Sequence, residues 1–96
     1  LAALIENCDA AIALPGGVGT LLEICLCWNE LAIQALDPKP LILMGPGWRA
    51  LMETFFKHQG DYIALEAREF VAFAPNPGAT FELLENFIDL NYKNNQ

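Results

Sequence analysis

The sequence predicts an α/β fold built on a parallel sheet, and three apolar runs are the main reason. Residues 10–14, 41–44 and 70–74 are apolar, and each run ends at a segment rich in glycine and proline. Short runs closed in this way are typical of buried strands, and their lack of polar alternation indicates strands covered on both faces. The segments between them have helical periodicity, so repeated βα units predict a three-layer Rossmann-like sheet.

Four helices are predicted around these three strands. Their expected bounds are 1–7, 20–36, 48–59 and 80–91. Residues 63–68 are expected to form a further short turn or helix. A chain of 96 residues fits one domain, residues 1–96. Because three strands are few for a doubly wound sheet, we expect a partial domain, completed by missing amino-terminal strands or by a second chain.

Composition excludes several classes of function. Five Lys and Arg residues against twelve Asp and Glu residues give a net charge of −7, so no basic stripe exists for nucleic acid. No apolar run is long enough to predict a membrane span, and no signal-peptide pattern is present. The chain contains no serine, which excludes a serine nucleophile. Three cysteines without a C-x-x-C spacing argue against a disulfide scaffold or zinc ribbon and favour the cytoplasm.

The richest candidate site is the glycine segment that connects the first strand to the following helix. Gly16, Gly17 and Gly19 allow a tight turn with exposed backbone, and the helix start favours an anion such as phosphate. Thr20 is expected to add a hydroxyl donor. The segment lacks the lysine of a Walker A loop, and Leu22 stands at the third glycine of the dinucleotide fingerprint. A phosphate cradle of another type is therefore predicted at the carboxyl edge of the sheet.

Glu23 has two interpretations from its position alone. Thr20 and Glu23 have the spacing of a capping box, in which the carboxylate caps the start of the helix. Alternatively, the carboxylate lies beside the anion site, where it could stabilise positive charge on a sugar or orient a water molecule. Both interpretations stay open from the residues alone.

One segment of the chain resembles a known motif: residues 9–23, which read DAAIALPGGVGTLLE. The motif is PGGxGTxxE of the LOG family, whose members are cytokinin riboside 5′-monophosphate phosphoribohydrolases. The resemblance continues through Trp28, Leu31, residues 39–45 and Trp48. It covers most of the chain but only the carboxyl-terminal half of a family domain. Relatives such as the molybdenum-cofactor carrier proteins share the motif.

The resemblance implies an enzyme that hydrolyses the N-glycosidic bond of a nucleoside 5′-monophosphate without a metal or cofactor. It implies that Glu23 is catalytic and that the phosphate is bound by Gly16, Gly17, Val18, Gly19 and Thr20. A family arginine would fall at or before residue 1 and is absent here. The resemblance also implies a homodimer or higher oligomer, for which the apolar helix from Leu21 to Leu36 is our candidate contact. The alternatives are a non-catalytic nucleotide or molybdenum-cofactor carrier and an inactive fragment of the fold.

The remaining conspicuous side chains are expected to be structural. His58 lies at a helix end, and Cys8 is expected to pack before the first strand. Cys25 and Cys27 point to different helix faces, so they are expected to be core or partly buried thiols rather than a metal-binding pair. The aromatic residues Trp28, Trp48 and Phe55 are expected in the core or at an interface, and the alternative is that they stack on a nucleotide base. Arg49 follows the second glycine segment at the same sheet edge, where it is either a surface residue or a contact for a phosphate.

Overall fold

The computed structural model describes residues 4–6 and 10–94 and contains one four-stranded sheet. The strands are β1 (Leu4–Glu6), β2 (Ala11–Ala13), β3 (Leu41–Met44) and β4 (Val71–Ala74), in that order across the sheet. Strands β2, β3 and β4 are parallel, and β1 is antiparallel to β2. The helices are α1 (Val18–Ala32), α2 (Pro46–Gln59), α3 (Leu65–Glu69) and α4 (Pro77–Asn94), with a 3₁₀ turn at Gly60–Tyr62.

The α/β prediction is confirmed, but the prediction of a helix over residues 1–7 is wrong where the structure describes it. Residues Leu4–Glu6 form a strand, with Ile5 opposite Ile12 of β2. Pairing there satisfies backbone groups that the edge of β2 would otherwise expose, and this tertiary gain outweighs the weak helical pattern of so short a segment. The rest of that predicted helix, and Cys8, lie outside the described residues.

Each long helix begins two or three residues earlier than its periodicity predicted. Pro46 and Pro77 are the first residues of α2 and α4, because a proline at the first helical position sacrifices no intrahelical hydrogen bond. Asn76 caps α4, since its side-chain oxygen accepts a hydrogen bond from the Ala79 amide at 2.8 Å. The glycine and proline segments, which the sequence predicts as the ends of strands, therefore also contain the first residues of the helices.

The first helix also ends earlier than predicted, at Ala32. Gln34 has a φ of 64°, and its amide donates to the Leu31 carbonyl. The Ala35 amide donates to the Glu30 carbonyl at 2.8 Å, which completes the hydrogen-bond pattern of a Schellman motif. A left-handed residue at this position ends the helix, and because it is Gln34 rather than a glycine, the sequence does not predict this end.

Helices cover both faces of the sheet. The main core joins α1 and α2 to one face, with Ile24, Leu31, Leu41 and Leu43 almost fully buried. Ile42 is equally buried but lies outside that cluster on the opposite face, because side chains alternate along a strand. There α4 packs against β3 and β4. Among the described residues, no helix combines the length and apolar character that a bilayer crossing requires.

Candidate functional site

The predicted phosphate-binding residues lie together at the carboxyl end of β2. The chain leaves the strand after Ala13 and turns through residues 14–17 before α1 begins at Val18. Gly16, Gly17, Val18 and Gly19 are exposed, whereas Thr20 is buried. The loop backbone is therefore open to solvent, with the side chain of Thr20 turned into the protein. We call residues 14–19 the glycine loop.

The start of α1 carries amides that the helix itself does not use. Gly17 is the N-cap residue, and the cap makes no side-chain hydrogen bond. The Leu21 amide donates to the Gly17 carbonyl at 3.0 Å, which opens the helical ladder. The amides of Val18, Gly19 and Thr20 precede that ladder, so they point outward at the positive end of the helix dipole. Backbone donors at such an end suit an anion.

This start of the helix overturns the capping-box interpretation. Thr20 is the third residue of α1 rather than its N-cap, and Glu23 is the sixth residue rather than the third. Thr20 is only 7% exposed because its side chain packs against Gly16. Its hydroxyl lies where a side chain at position 16 would begin. The spacing of Thr20 and Glu23 predicted the wrong helix start, because α1 begins within the glycine segment and has Gly17 as its N-cap.

Gly16 and Gly19 differ in whether the fold requires a glycine at their positions. A Cβ atom at Gly16 would collide with the Thr20 hydroxyl, so the fold itself requires glycine there. A Cβ at Gly19 would meet no atom within 4 Å, and Gly19 does not have a positive φ. Nothing in the described structure therefore demands glycine at position 19. Its missing side chain leaves open space beside the first turn of α1.

Glu23 lies beside the buried stripe of α1. That stripe consists of Thr20, Ile24, Cys27 and Leu31, and Glu23 is half-buried at its margin. At 3.6 residues per turn, Glu23 is about 60° round the helix from Thr20 and on the opposite side from Leu21. Leu21 lies beside α2, so Glu23 lies on the side of α1 that faces away from α2. Helix α1 packs against β1 and β2.

A second loop meets the glycine loop where β3 ends. Gly45 has a φ of 106°, and a Cβ there would lie 3.2 Å from Cγ of Pro15. The Trp48 indole N–H donates to the Leu14 carbonyl at 2.9 Å. The sequence predicts a core or interface position for Trp48, but it does not predict this hydrogen bond to the glycine loop. Sequence spacing carries no signal for a contact between loops 34 residues apart.

The two loops enclose an open cleft of about 530 Å³. Its lining includes no charged side chain and consists of Pro15, Gly16, Met44, Gly45, Pro46, Gly47, Trp48 and Leu51. Such a surface suits an uncharged, flat group rather than a second anion. The cleft adjoins the glycine loop through Pro15 and Gly16, so one ligand could place polar and apolar parts side by side.

The other candidate residues take structural positions. Arg49 is exposed and donates to Glu53 at 2.7 Å, with its guanidinium 5.6 Å from the Phe73 ring centre. His58 lies in the last turn of α2, as predicted. Cys27 is buried, whereas Cys25 is exposed, so the expectation that both thiols are at least partly buried is wrong for Cys25. Within the described residues, no three His, Cys, Asp or Glu side chains are grouped to hold a metal ion.

Known proteins match this chain over most of its length. A protein-family model described as "Possible lysine decarboxylase" matches residues 1–84. The chain belongs to the LOG family. A cytokinin riboside 5′-monophosphate phosphoribohydrolase of Arabidopsis thaliana is 35% identical over 89 residues, which cover 86% of this chain and 40% of that protein. A probable enzyme of the same name from Oryza sativa subsp. japonica is 33% identical, over 90% of this chain and 35% of its own length.

The match to the LOG family includes both predicted parts of the site. The glycine loop and Glu23 fall inside the matched residues 1–84. The chain spans 40% or less of the length of these two relatives, so they contain much that this chain does not. No solved structure gives a significant match.

Proposed function

We propose that this chain supplies the phosphate-binding loop and the catalytic carboxylate of a nucleoside 5′-monophosphate phosphoribohydrolase. Such an enzyme releases the free base and ribose 5-phosphate. The observation that carries the proposal is Gly19, a glycine that the fold does not need, in a first helical turn whose three leading amides the helix does not use. Membership of the LOG family and the names of its relatives support the choice of reaction.

In the proposed reaction, the first turn of α1 binds the phosphate, and Glu23, one turn further along the helix, acts on the sugar. The 5′-phosphate accepts hydrogen bonds from the amides of Val18, Gly19 and Thr20. Glu23 lies four residues beyond Gly19, about 6 Å along the helix axis, a distance comparable with the ribose and its 5′ carbon. Binding at the phosphate thus holds the sugar beside the carboxylate, and the fixed orientation lowers the barrier to reaction.

The proposed chemistry places Glu23 at the anomeric carbon. The bond between this carbon and the base nitrogen breaks, and its electron pair leaves with the base. Positive charge develops on the sugar, where a carboxylate stabilises it. Water then adds to the carbon and loses a proton, which Glu23 can accept as a general base. The base takes up a proton and departs neutral.

The test is release of adenine from AMP by the purified chain and three variants. Glu23→Gln keeps the shape of the side chain but removes its charge, so turnover should fall at least about a hundredfold, as expected for loss of an acid–base group. Gly19→Ala fills the open space beside the first turn of α1, so AMP binding should weaken. Gly78→Ala is the matched control, because Gly78 is the second residue of α4 just as Gly19 is of α1, and a Cβ there makes ordinary contact.

Each alternative gives a different result in this assay. Tight binding of AMP or of a molybdenum cofactor without base release, unchanged by Glu23→Gln, would identify a carrier. Absence of both binding and turnover would identify an inactive fragment. Base release that survives Glu23→Gln at full rate would contradict the assigned role of the carboxylate.

The proposed enzyme is a cytoplasmic homodimer or higher oligomer joined through α1. Val18, Leu22 and Leu26 form an apolar row along the outer side of this helix and are 85%, 60% and 55% exposed. An apolar row of this kind favours association with another protein surface. Among the described residues, neither Cys25 nor Cys27 forms a disulfide, which suits a reducing compartment. Light scattering at increasing concentration tests the oligomer, and a monomer throughout would contradict it.

A further inference from the structure

The glycine loop is held in place from outside, by the loop that follows β3. Two contacts join the loops: the Pro15 ring lies against Gly45, and the Trp48 indole N–H donates to the Leu14 carbonyl at 2.9 Å. Trp48 is the third residue of α2 and only 8% exposed, so its ring is fixed by packing before it donates. A rigid donor therefore holds Leu14, the first residue of the glycine loop.

Leu14 needs such an outside partner because the strand has already ended. The parallel pairing of β2 with β3 stops at Ala13 opposite Leu43. Beyond Leu14 the chain reads Pro-Gly-Gly-Val-Gly, and glycine leaves backbone positions weakly determined. The direction in which the chain enters this segment therefore decides where the amides at the start of α1 lie.

We propose that Trp48 is a positioning residue for the proposed phosphate site. Its indole hydrogen bond to Leu14 holds the glycine loop in the arrangement that receives the phosphate, and the residue acts through the loop rather than on the reacting atoms. This inference rests on the proposed function for the identity of the ligand. The hydrogen bond itself and its effect on the loop are independent of that function.

The chain contains a matched control for this bond. It has two tryptophans, and the Trp28 indole also donates to a backbone carbonyl, that of Ala67, at 2.7 Å. Trp28 packs against Phe55 and Phe56, away from the glycine loop. The variants Trp48→Phe and Trp28→Phe each remove one indole donor from a partly buried site and keep an aromatic ring. Both should lower stability, so a difference between them in ligand binding is not a folding effect.

The experiment combines binding with ¹⁵N nuclear magnetic resonance on the full chain and both variants. The spectrum shows two indole N–H signals, and each variant removes one, which assigns them. Addition of AMP or ribose 5-phosphate should shift the Trp48 indole signal and leave that of Trp28 in place. Trp48→Phe should raise the Kd for both ligands about fivefold to tenfold, as expected for one lost hydrogen bond, and Trp28→Phe should leave it within twofold.

The decisive readout is the order of the loop without ligand. Backbone order parameters of Gly16, Gly17 and Gly19 should fall in Trp48→Phe and stay at the wild-type value in Trp28→Phe. Equal loop order and equal affinity in the two variants would overturn the role of Trp48. If the wild-type chain binds neither ligand, the proposed function fails, and the order parameters still decide whether Trp48 holds the loop.

Discussion

Gly45 gives the sharpest test of how the two loops at the sheet edge are built. It has a φ of 106° and a ψ of 152°, a region that is essentially restricted to glycine and costs other residues about 1–3 kcal/mol. A Cβ there would also lie 3.2 Å from Cγ of Pro15, which must shift to accept it. Alanine would reduce the freedom of the unfolded chain and recover about 0.4–1 kcal/mol. We expect Gly45→Ala to lower the free energy of unfolding by about 2 kcal/mol.

The matched control is Gly47→Ala, two residues further on. Gly47 is the second residue of α2, has no positive φ, and a Cβ there would meet no atom within 4 Å. Alanine at this helical position should leave stability unchanged or raise it by up to about 1 kcal/mol. Urea unfolding followed by circular dichroism measures both variants, and the midpoints should differ by about 2 M at an m-value near 1 kcal/mol/M. Equal midpoints would refute this explanation of the Gly45 backbone.

Three further predictions test the helix start, the charged surface and the outer face of α1. Asn76→Ala removes the acceptor for the Ala79 amide, so it should lower the free energy of unfolding by about 1 kcal/mol. Asn76→Asp keeps an acceptor oxygen and should therefore lose much less stability than Asn76→Ala. Arg49→Ala breaks the ion pair with Glu53. Because both side chains are about 60% exposed, the free energy of unfolding should change by less than about 0.5 kcal/mol. Leu22→Glu should dissociate the proposed oligomer in light scattering while the circular dichroism spectrum stays native, because Leu22 is 60% exposed.

The sheet was predictable because its strands carry a strong local pattern. Residues 41–44 are continuously apolar and are buried on both faces, and Ile42 and Leu43 are 0% exposed on opposite sides. No comparable pattern marked β1, since three residues are too few for any periodicity to be read. Its place in the sheet depends on the open edge of β2, which is a property of the tertiary structure.

The position of the candidate site was also predictable, because glycine and proline mark the ends of buried strands. The sequence correctly places the glycine loop where β2 is followed by α1, whose first two residues belong to the loop. It misjudged the first turn of α1, because Thr20 and Glu23 fit a capping box whose cap turned out to be Gly17. The spacing of a capping box identifies capping residues only when the first residue of the helix is already known, because its positions are counted from the N-cap.

Contacts between the loops could not be read from sequence. The hydrogen bond from Trp48 to Leu14 and the contact between Gly45 and Pro15 connect segments about 30 residues apart in the chain. From the sequence alone, Trp48 and Pro15 could each have been residues that only pack in the core. Only the parallel order of β2 and β3, which brings their carboxyl ends side by side, explains why these residues meet.

The most direct test of the phosphate site is a ¹⁵N titration of the chain with AMP and, separately, with adenosine. Hydrogen bonds to a phosphoryl group should move the amide signals of Val18, Gly19 and Thr20 strongly downfield with AMP, and adenosine should leave them in place. Ribose 5-phosphate should reproduce the shifts seen with AMP. Identical responses to AMP and adenosine, or AMP shifts confined to residues outside 16–23, would show that the start of α1 does not hold the phosphate.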